Sequence, residues 1–179
     1  MNAPSTSPIW WEDAKKHLRS VDPILSKIID SVEEPPLQGL GDVVITMCNA
    51  VVGQQISAIA ADAIWSRLIH FLGGEFDSSK VLDSDEESLR NVGLSRMKIR
   101  TLKGICDSAE LLRQIEWDSK NQNEIQSIMT EIWGVGPWTA EMAMIFSLHL
   151  PDILPLGDIG VIRSIEALEG KGEMNDSEI

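Results

Sequence analysis

Ten residues in the last third of the chain, Glu131-Ile-Trp-Gly-Val-Gly-Pro-Trp-Thr-Ala140, constrain its fold more than any other segment. Apolar residues at helical spacing flank the Gly-Val-Gly triplet, which predicts two helices joined by a very short turn. Because glycine has no Cβ, we expect the turn to be too tight for side chains at both Gly134 and Gly136. Pro137 suits the first turn of the second helix, where its missing N–H leaves no hydrogen bond unmade. The segment therefore predicts a helical hairpin whose second helix offers amide N–H groups to an anion such as phosphate.

Helical patterns also account for nearly all of the remaining chain, and no segment alternates apolar and polar residues at the period of a strand. Helix-capping residues precede most of the apolar segments. The sequence therefore predicts an all-α fold. The predicted helices span residues 9–18, 24–29, 42–52, 57–71, 84–92, 95–115, 121–133 (or from 123), 137–150 and 159–168.

Length and composition exclude several classes of protein. The 179 residues suggest one compact domain or two small lobes, and no apolar run is long enough to cross a membrane. The N-terminus lacks the basic and apolar regions of a secretion signal. Cys48 and Cys106 each lie in an apolar helical pattern, which indicates buried thiols in a reducing compartment. We therefore expect a protein that is not secreted, located in the cytoplasm of a bacterium or the nucleus of a eukaryote.

The net charge of −13 argues against a nucleic-acid partner when taken alone. The distribution of charge weakens that objection, because acidic residues concentrate at 83–87 and 166–178 while basic residues concentrate in one short segment. A local basic edge together with backbone amides can hold DNA, and we expect modest affinity with strong salt dependence. The acidic runs are typical of solvated faces, although they also leave open a helical scaffold for protein interaction. The basic residues are Arg96, Lys98, Arg100 and Lys103.

Two polar breaks between helices are candidate DNA contacts. At the first, Gln55 is long enough to fill the hole left by an extruded base, but spacing alone favours a polar corner capped by Ser57. At the second, Ser95 is an expected helix cap followed by Arg96 and Lys98. Cations near a helix start oppose the macrodipole, which leaves room for a phosphate contact by either side chain.

Asp158 is the main candidate for catalysis. It follows a glycine and precedes an amphipathic helix, so it is first of all an N-cap. A carboxylate fixed there stays ionised and can face positive charge developing on a sugar, or orient or deprotonate water. Asp152, in a loop, is the weaker acid candidate. Trp138 is either a core residue or a flat wall for a flipped base. The histidines are scattered and indicate neither a metal site nor a triad: His17, His70 and His149.

Three motifs together resemble the helix–hairpin–helix DNA glycosylases, and within them the 3-methyladenine DNA glycosylase II type. They are the hairpin at 133–140, the Pro-Leu-Gly-Asp segment at 155–158 and the Val-Val-Gly-Gln-Gln-Ile-Ser turn at 51–57. The resemblance covers roughly residues 43–168. It implies an all-α, two-lobed fold, with a central lobe of about 42–150 and a second lobe from 1–41 and 151–179. It also implies DNA bound across the cleft, nucleotide flipping and excision of alkylated purines.

Residue by residue, the resemblance implies that Asp158 is the catalytic aspartate. Gln55 corresponds to the intercalating wedge, with Ser57 beside it. Gly134, Gly136 and Thr139 belong to the hairpin that holds DNA phosphate. Main-chain carbonyls there, from Ile132 and Gly134, commonly bind a sodium or potassium ion.

The resemblance also bears on the base pocket and the reaction. Trp138 stands where bifunctional relatives place a Schiff-base lysine, so water is the expected nucleophile and β-lyase chemistry is not expected. Met142 stands where some relatives have an aromatic, and with Trp138 it would line the pocket. No cofactor is required, the partner is double-stranded DNA containing alkylated bases, and we expect a monomer.

Two questions stay open at the level of the sequence. The last ten residues resemble a loop that leads into a helix start, so we expect a chain truncated before a final helix that other relatives use to complete the pocket. The second reading is therefore a non-catalytic helix–hairpin–helix module that binds DNA or senses damage. The preferred base, 3-methyladenine, hypoxanthine or another damaged base, is also undecided.

Overall fold

The computed structural model describes residues 7–32 and 36–170. Within those ranges it contains eleven α-helices and no strand, so the predicted all-α fold is confirmed. A short 3-10 turn, Trp117–Ser119, precedes the ninth helix. The helices are α1 Trp11–Val21, α2 Pro23–Ser31, α3 Val43–Gly53, α4 Ala58–Phe71, α5 Ser78–Asp83, α6 Glu86–Val92, α7 Arg96–Asp107, α8 Ala109–Gln114, α9 Gln122–Thr130, α10 Pro137–Phe146 and α11 Ile159–Glu169.

Five helices begin at side-chain caps that the sequence predicts: α2, α3, α4, α7 and α9. The caps at Asp22, Asp42, Ser57 and Ser95 each accept a hydrogen bond from a backbone N–H in the first turn. Asn121 forms a full capping box with Glu124, which settles the start of α9 in favour of the first of the two asparagines. These local bonds satisfy amide groups that a helix start otherwise leaves unpaired.

Several predicted boundaries are wrong. The first helix begins at Trp11 rather than residue 9, and α5 has no predicted counterpart because its six residues are too few to show a period. The predicted helix 95–115 is interrupted at Ser108, which has φ −86° and ψ 1°, and no glycine or proline marks that break. The predicted helices 84–92, 121–133 and 137–150 are each shorter, as the bounds of α6, α9 and α10 show.

Helix α3 is the centre of the core. Its side chains are apolar almost all round, as expected of a helix enclosed by protein, and Val44, Met47 and Val51 are fully buried. Helices α4, α7, α8 and α10 pack against it. The C-terminal end of α3 and the hairpin helix α10 therefore belong to one rigid core, which fixes their relative placement.

The two cysteines lie within this core. Both are free thiols and both are buried, as the apolar pattern around them predicts. Burial raises the pKa of the Cys48 thiol. They contribute to packing as small apolar side chains.

Helices α1 and α2 pack against each other, and Arg19 forms an ion pair with Asp30 at 2.9 Å. The indole N–H of Trp10, just before α1, donates to the carbonyl of His149 beyond the end of α10 at 2.8 Å. The division into two lobes stays a prediction. The loop and helix start predicted for the last ten residues lie, from residue 171 onward, outside the part of the chain that the structure describes. No helix in the described ranges combines the length and the apolar character that crossing a bilayer would require.

Candidate active site

The turn between α9 and α10 needs glycine at only one of its two glycine positions. Gly134 has φ 80°, and a Cβ built there would contact Thr101 Oγ1 and lie 3.1 Å from Thr101 Cβ. Gly136 has φ −99° and ψ 177°, and a Cβ there would meet nothing within 4 Å. The prediction that both positions exclude a side chain is confirmed for Gly134 and wrong for Gly136. The space beside Gly136 is open to an approaching molecule.

The start of α10 has the features of an anion site. Gly136 caps the helix without any side-chain hydrogen bond, and Pro137 occupies the first turn. The amides of Trp138 and Thr139 therefore receive no acceptor from the cap. Such amides, together with the positive end of the helix dipole, favour a phosphate group.

Asp158 is held by three N–H donors. As the N-cap of α11 its Oδ1 accepts from the backbone N–H of Gly160 at 2.7 Å and of Val161 at 3.2 Å. Its Oδ2 accepts from the indole Nε1–H of Trp138 at 2.8 Å. Partial burial acts to raise the pKa of this carboxyl, but the Trp138 indole and the two amides outweigh it and leave the pKa below its usual value. The group is thus a fixed, ionised carboxylate.

Trp138 connects that carboxylate to the hairpin. It lies in the first turn of α10, is half-buried, and uses its indole N–H on Asp158. Trp138 is therefore more than a core residue or a stacking surface, because its indole N–H orients the carboxylate of Asp158. Met142, also half-buried, follows one turn later on the same face of α10. The structure thus places Asp158 beside the hairpin, partly open to solvent and outside the sealed core.

The break between α3 and α4 also reaches the hairpin. Gln55 is exposed and has φ 57°, a conformation uncommon for a residue with a side chain. The preceding Gln54 donates its amide Nε2–H to Thr139 Oγ1 at 2.9 Å. Thr139 is only 1% exposed, so its predicted contact with DNA stays a prediction that falls to its backbone amide. Ser57 caps α4 by accepting from the N–H of Ala60.

The predicted basic edge is largely engaged with the protein itself. Lys98 donates to the carbonyls of Val52 at 2.7 Å and Gln54 at 2.9 Å, and burial lowers its pKa. The predicted phosphate contact of Lys98 stays a prediction, because the ammonium already donates to two carbonyls at the end of α3. Lys103 likewise donates to two main-chain carbonyls. Arg96 pairs with Glu86 at 3.2 Å in an exposed ion pair, which is weak enough to exchange for a phosphate.

Trp133, just before the glycine turn, has a side chain that is 42% exposed. The guanidinium of Arg100 lies over its ring, 3.8 Å from the centroid, in a cation–π contact. Asp152 stays an exposed loop residue whose carbonyl accepts from Gln122, which keeps it the weaker acid candidate.

Comparison with known proteins supplies the family. The model of the HhH-GPD superfamily of base excision DNA repair proteins matches residues 48–179. The chain belongs to this superfamily. Curated relatives include DNA-3-methyladenine glycosylase 1 of Schizosaccharomyces pombe, 33% identical over 120 residues, covering 64% of this chain and 53% of the relative. The DNA-3-methyladenine glycosylase of Saccharomyces cerevisiae is 30% identical over 168 residues, covering 84% and 57%.

Solved structures agree on the fold. The 3-methyladenine DNA glycosylase of S. pombe, in complex with abasic DNA, superposes with a TM-score of 0.83 at 26% identity, over 93% of this chain and 85% of that one. A DNA-3-methyladenine glycosidase of Bacillus halodurans gives 0.72 at 28% identity, over 99% and 81%. The chain spans a little over half the length of the first two curated relatives.

For this HhH-GPD protein the binding of a sodium or potassium ion stays a prediction, and the main-chain oxygens of the hairpin are suitable ligands for it. The carbonyl of Ile132 accepts the N–H of Val135 at 3.0 Å, which leaves a second lone pair for another partner. With Gly134 it would offer main-chain oxygens, the ligand type that hard cations prefer. Among the described residues no group of three or more His, Cys, Asp or Glu side chains is placed to hold a metal ion.

Sequence reasoning missed two contributors to the site of this HhH-GPD protein. It treated Gln54 as one half of a polar corner, although its side chain bonds the hairpin helix. It also missed Thr101, against which Gly134 packs. Neither had a local signal, because each contact joins segments far apart in the chain.

Proposed function

We propose that this protein is a monofunctional DNA glycosylase that hydrolyses the N-glycosidic bond of alkylated purines, of the 3-methyladenine type, in double-stranded DNA. One observation carries the proposal: the ionised carboxylate of Asp158, held by Trp138 beside the glycine turn between α9 and α10. The names of the superfamily's 3-methyladenine glycosylases support the same substrate class. The protein would act where DNA lies, in the cytoplasm of a bacterium or the nucleus of a eukaryote.

The reaction breaks the bond between C1′ of the deoxyribose and the purine nitrogen. The bonding electron pair leaves with the base, so a cationic alkylated purine departs as a neutral molecule and C1′ takes on positive charge. Water then forms a bond to C1′ through its oxygen and releases a proton to solvent. An alkylated purine is already a good leaving group, so the protein mainly has to expose the base and stabilise the charged sugar.

Asp158 suits the stabilisation of charge better than the abstraction of a proton. Its lowered pKa makes it a weak base at neutral pH. A carboxylate has about four lone-pair sites, and three are occupied by Trp138, Gly160 and Val161. The remaining site can face the sugar, and a preorganised charge of this kind needs no rearrangement in the transition state.

The surrounding residues would hold and open the duplex. The α10 amides would grip a phosphate, with Arg96 free to exchange Glu86 for a second one. Gln55 would enter the base stack in place of the flipped nucleotide. Trp138 and Met142, on one face of α10, would receive the base.

The decisive experiment is base release from methylated duplex DNA, with the freed base identified by chromatography. The matched variant is Asp158→Asn, because asparagine is as good an N-cap as aspartate and preserves α11. A unit charge about 4 Å from the sugar in a medium of effective dielectric constant about 20 contributes about 4 kcal/mol, so the variant should lose about a thousandfold in rate. Its affinity for DNA should change little.

Three outcomes would contradict the proposal. Release by Asp158→Asn at the wild-type rate would exclude the mechanism. Salt-sensitive binding of the wild-type protein without release of any base would instead select the non-catalytic DNA-binding module. Absence of DNA binding would favour the interaction scaffold.

A further inference from the structure

The turn between α3 and α4 holds its exposed residue in an unfavourable conformation. Gln55 has φ 57°, which costs a residue with a Cβ about 1 kcal/mol or more relative to the ordinary helical region. Such a conformation persists only where surrounding contacts determine it, and it is common at functional sites. The contacts that hold this turn are therefore part of how Gln55 is presented.

Lys98 supplies the main-chain contacts. Its ammonium donates to the carbonyls of Val52 and Gln54, at 2.7 and 2.9 Å. Carbonyls in the last turn of a helix lack partners within the helix, and a cation there also complements the helix dipole. The Gln54 carbonyl belongs to the peptide group that joins Gln54 to Gln55. Lys98 thus fixes the orientation of the peptide from which the Gln55 side chain extends.

The side chain of Gln54 supplies the second contact. It donates to Thr139, which is 1% exposed on α10, at 2.9 Å. Trp138, the neighbour of that threonine, holds Asp158. Gln54 is therefore attached through its main chain to α7 and through its side chain to the hairpin helix. These two attachments fix the position of the α3–α4 turn relative to the hairpin.

We propose that Lys98 is a positioning residue: it braces the α3–α4 turn so that Gln55 enters the DNA base stack at a fixed place relative to the hairpin and Asp158. The inference rests on the proposed function, since it says that Lys98 holds in place the turn that carries Gln55, the residue proposed to open the duplex. It differs from a phosphate contact, because the ammonium of Lys98 already binds two carbonyls of its own chain.

The test uses the whole chain and a DNA duplex in which 2-aminopurine lies next to a tetrahydrofuran abasic-site analogue. The fluorescence of 2-aminopurine rises when its base stack is opened. At saturating protein, Lys98→Gln should reduce the opened fraction about tenfold, the size of losing one hydrogen bond to a charged group. Lys98→Arg, which keeps N–H donors, should restore much of the signal. Gln55→Ala should show a similar loss.

Two comparisons separate the brace from other roles. If Lys98 acts through Gln55, the double variant should open the duplex no less than Gln55→Ala alone. The matched control is Lys103→Gln, because Lys103 lies on the same helix and donates to the carbonyls of Leu82 and Ser84, at a different junction. It should lower stability comparably and leave the fluorescence signal intact.

Several results would overturn the inference. Additive effects of Lys98→Gln and Gln55→Ala, or an equal loss of signal in Lys103→Gln, would show a general structural role. A drop of about one in the slope of log affinity against log salt concentration would show that Lys98 binds phosphate. Where Lys98→Gln does not fold, Lys98→Arg serves as the test, because its guanidinium cannot place its N–H groups as the ammonium does on both carbonyls. Any loss of signal in Lys98→Arg should then disappear in the Gln55→Ala background, and an additive loss would refute the proposal.

Failure of the proposed function has a different signature. In that case the wild-type protein would release no base from methylated DNA, while the fluorescence assay would still show whether Lys98 and Gln55 act together in opening the duplex. If the wild-type protein binds the duplex without any rise in fluorescence, the role proposed for Lys98 is wrong as well.

Discussion

Substitution of Gly134 by alanine should destabilise the protein strongly, for two reasons that the structure separates. The residue has φ 80°, where a Cβ is unfavourable by about 1–2 kcal/mol. The same Cβ would overlap Thr101 Oγ1 and lie 3.1 Å from Thr101 Cβ and Cγ2. Thr101 is buried and donates its hydroxyl to the carbonyl of Met97 at 3.0 Å, so it cannot rotate away without losing that bond.

The expected loss is the sum of backbone strain and overpacking. Overpacking in a well-packed interior costs about 1–3 kcal/mol, so Gly134→Ala should lose about 2–5 kcal/mol of unfolding free energy. For a chain of this length each kcal/mol lowers Tm by about 2–4 °C, which predicts a drop of roughly 4–20 °C. In a Thr101→Ala background the overpacking part should largely disappear, and the glycine substitution should then cost about 1–2 kcal/mol.

Gly136→Ala is the matched control within the same turn. At φ −99° with nothing near the added methyl, its free energy of unfolding should change by less than about 1 kcal/mol. Its affinity for duplex DNA should nevertheless fall, since the methyl would fill the space through which a phosphate approaches the α10 amides. Urea or thermal unfolding of both variants, with a binding titration, measures this. Equal stability of the two variants would refute the assignment of the turn strain to Gly134.

Three further predictions concern the site and the helix that leads to it. Because folding lowers the pKa of Asp158, this carboxylate stabilises the fold above its unfolded-state pKa, and the contribution is lost as the pH falls through the folded-state value. Trp138→Phe removes the indole donor, so the acid limb of base release and the onset of acid unfolding should both move to higher pH; an unchanged pH profile would contradict the hydrogen bond. Gln55→Gly should leave the protein as stable or up to about 1 kcal/mol more stable, because it relieves the positive φ, while base release falls; a clear loss of stability would show that the Gln55 side chain supports the fold. Asn121→Ala removes the capping box with Glu124 and should cost about 1 kcal/mol in denaturant unfolding, and an unchanged midpoint would count against the cap.

Local chemistry explains which predictions from the sequence succeed. The caps at Asp22, Asp42 and Asn121 were predictable because each bond is closed within three residues of the cap. The N-cap role of Asp158 follows for the same reason. Asp77 caps α5 in the same local way, but the six residues of that helix are too few to show a period. No glycine or proline marks the break at Ser108.

Predictions about surface chemistry fared less well. The cluster of Arg96, Lys98, Arg100 and Lys103 looks like a DNA-binding edge in the sequence. In the fold the two lysines bind main-chain carbonyls and Arg100 lies on the ring of Trp133. A sequence records the charge of a side chain but not which carbonyl another helix brings within its reach.

By itself the sequence determined the helical class, the hairpin and the acid that begins α11, because periodicity, caps and glycine act over a few residues. Only the tertiary structure decided that Trp138 donates to Asp158, that Gln54 holds Thr139 and that Lys98 closes the end of α3. These bonds join residues 20, 85 and 44–46 positions apart. The bonds of Gln54 and Lys98 follow from the packing of α7 and α10 on α3, and the bond of Trp138 follows from where α11 begins relative to α10. Hydrogen bonds that depend on a few tenths of an ångström exist only once these helices are in place.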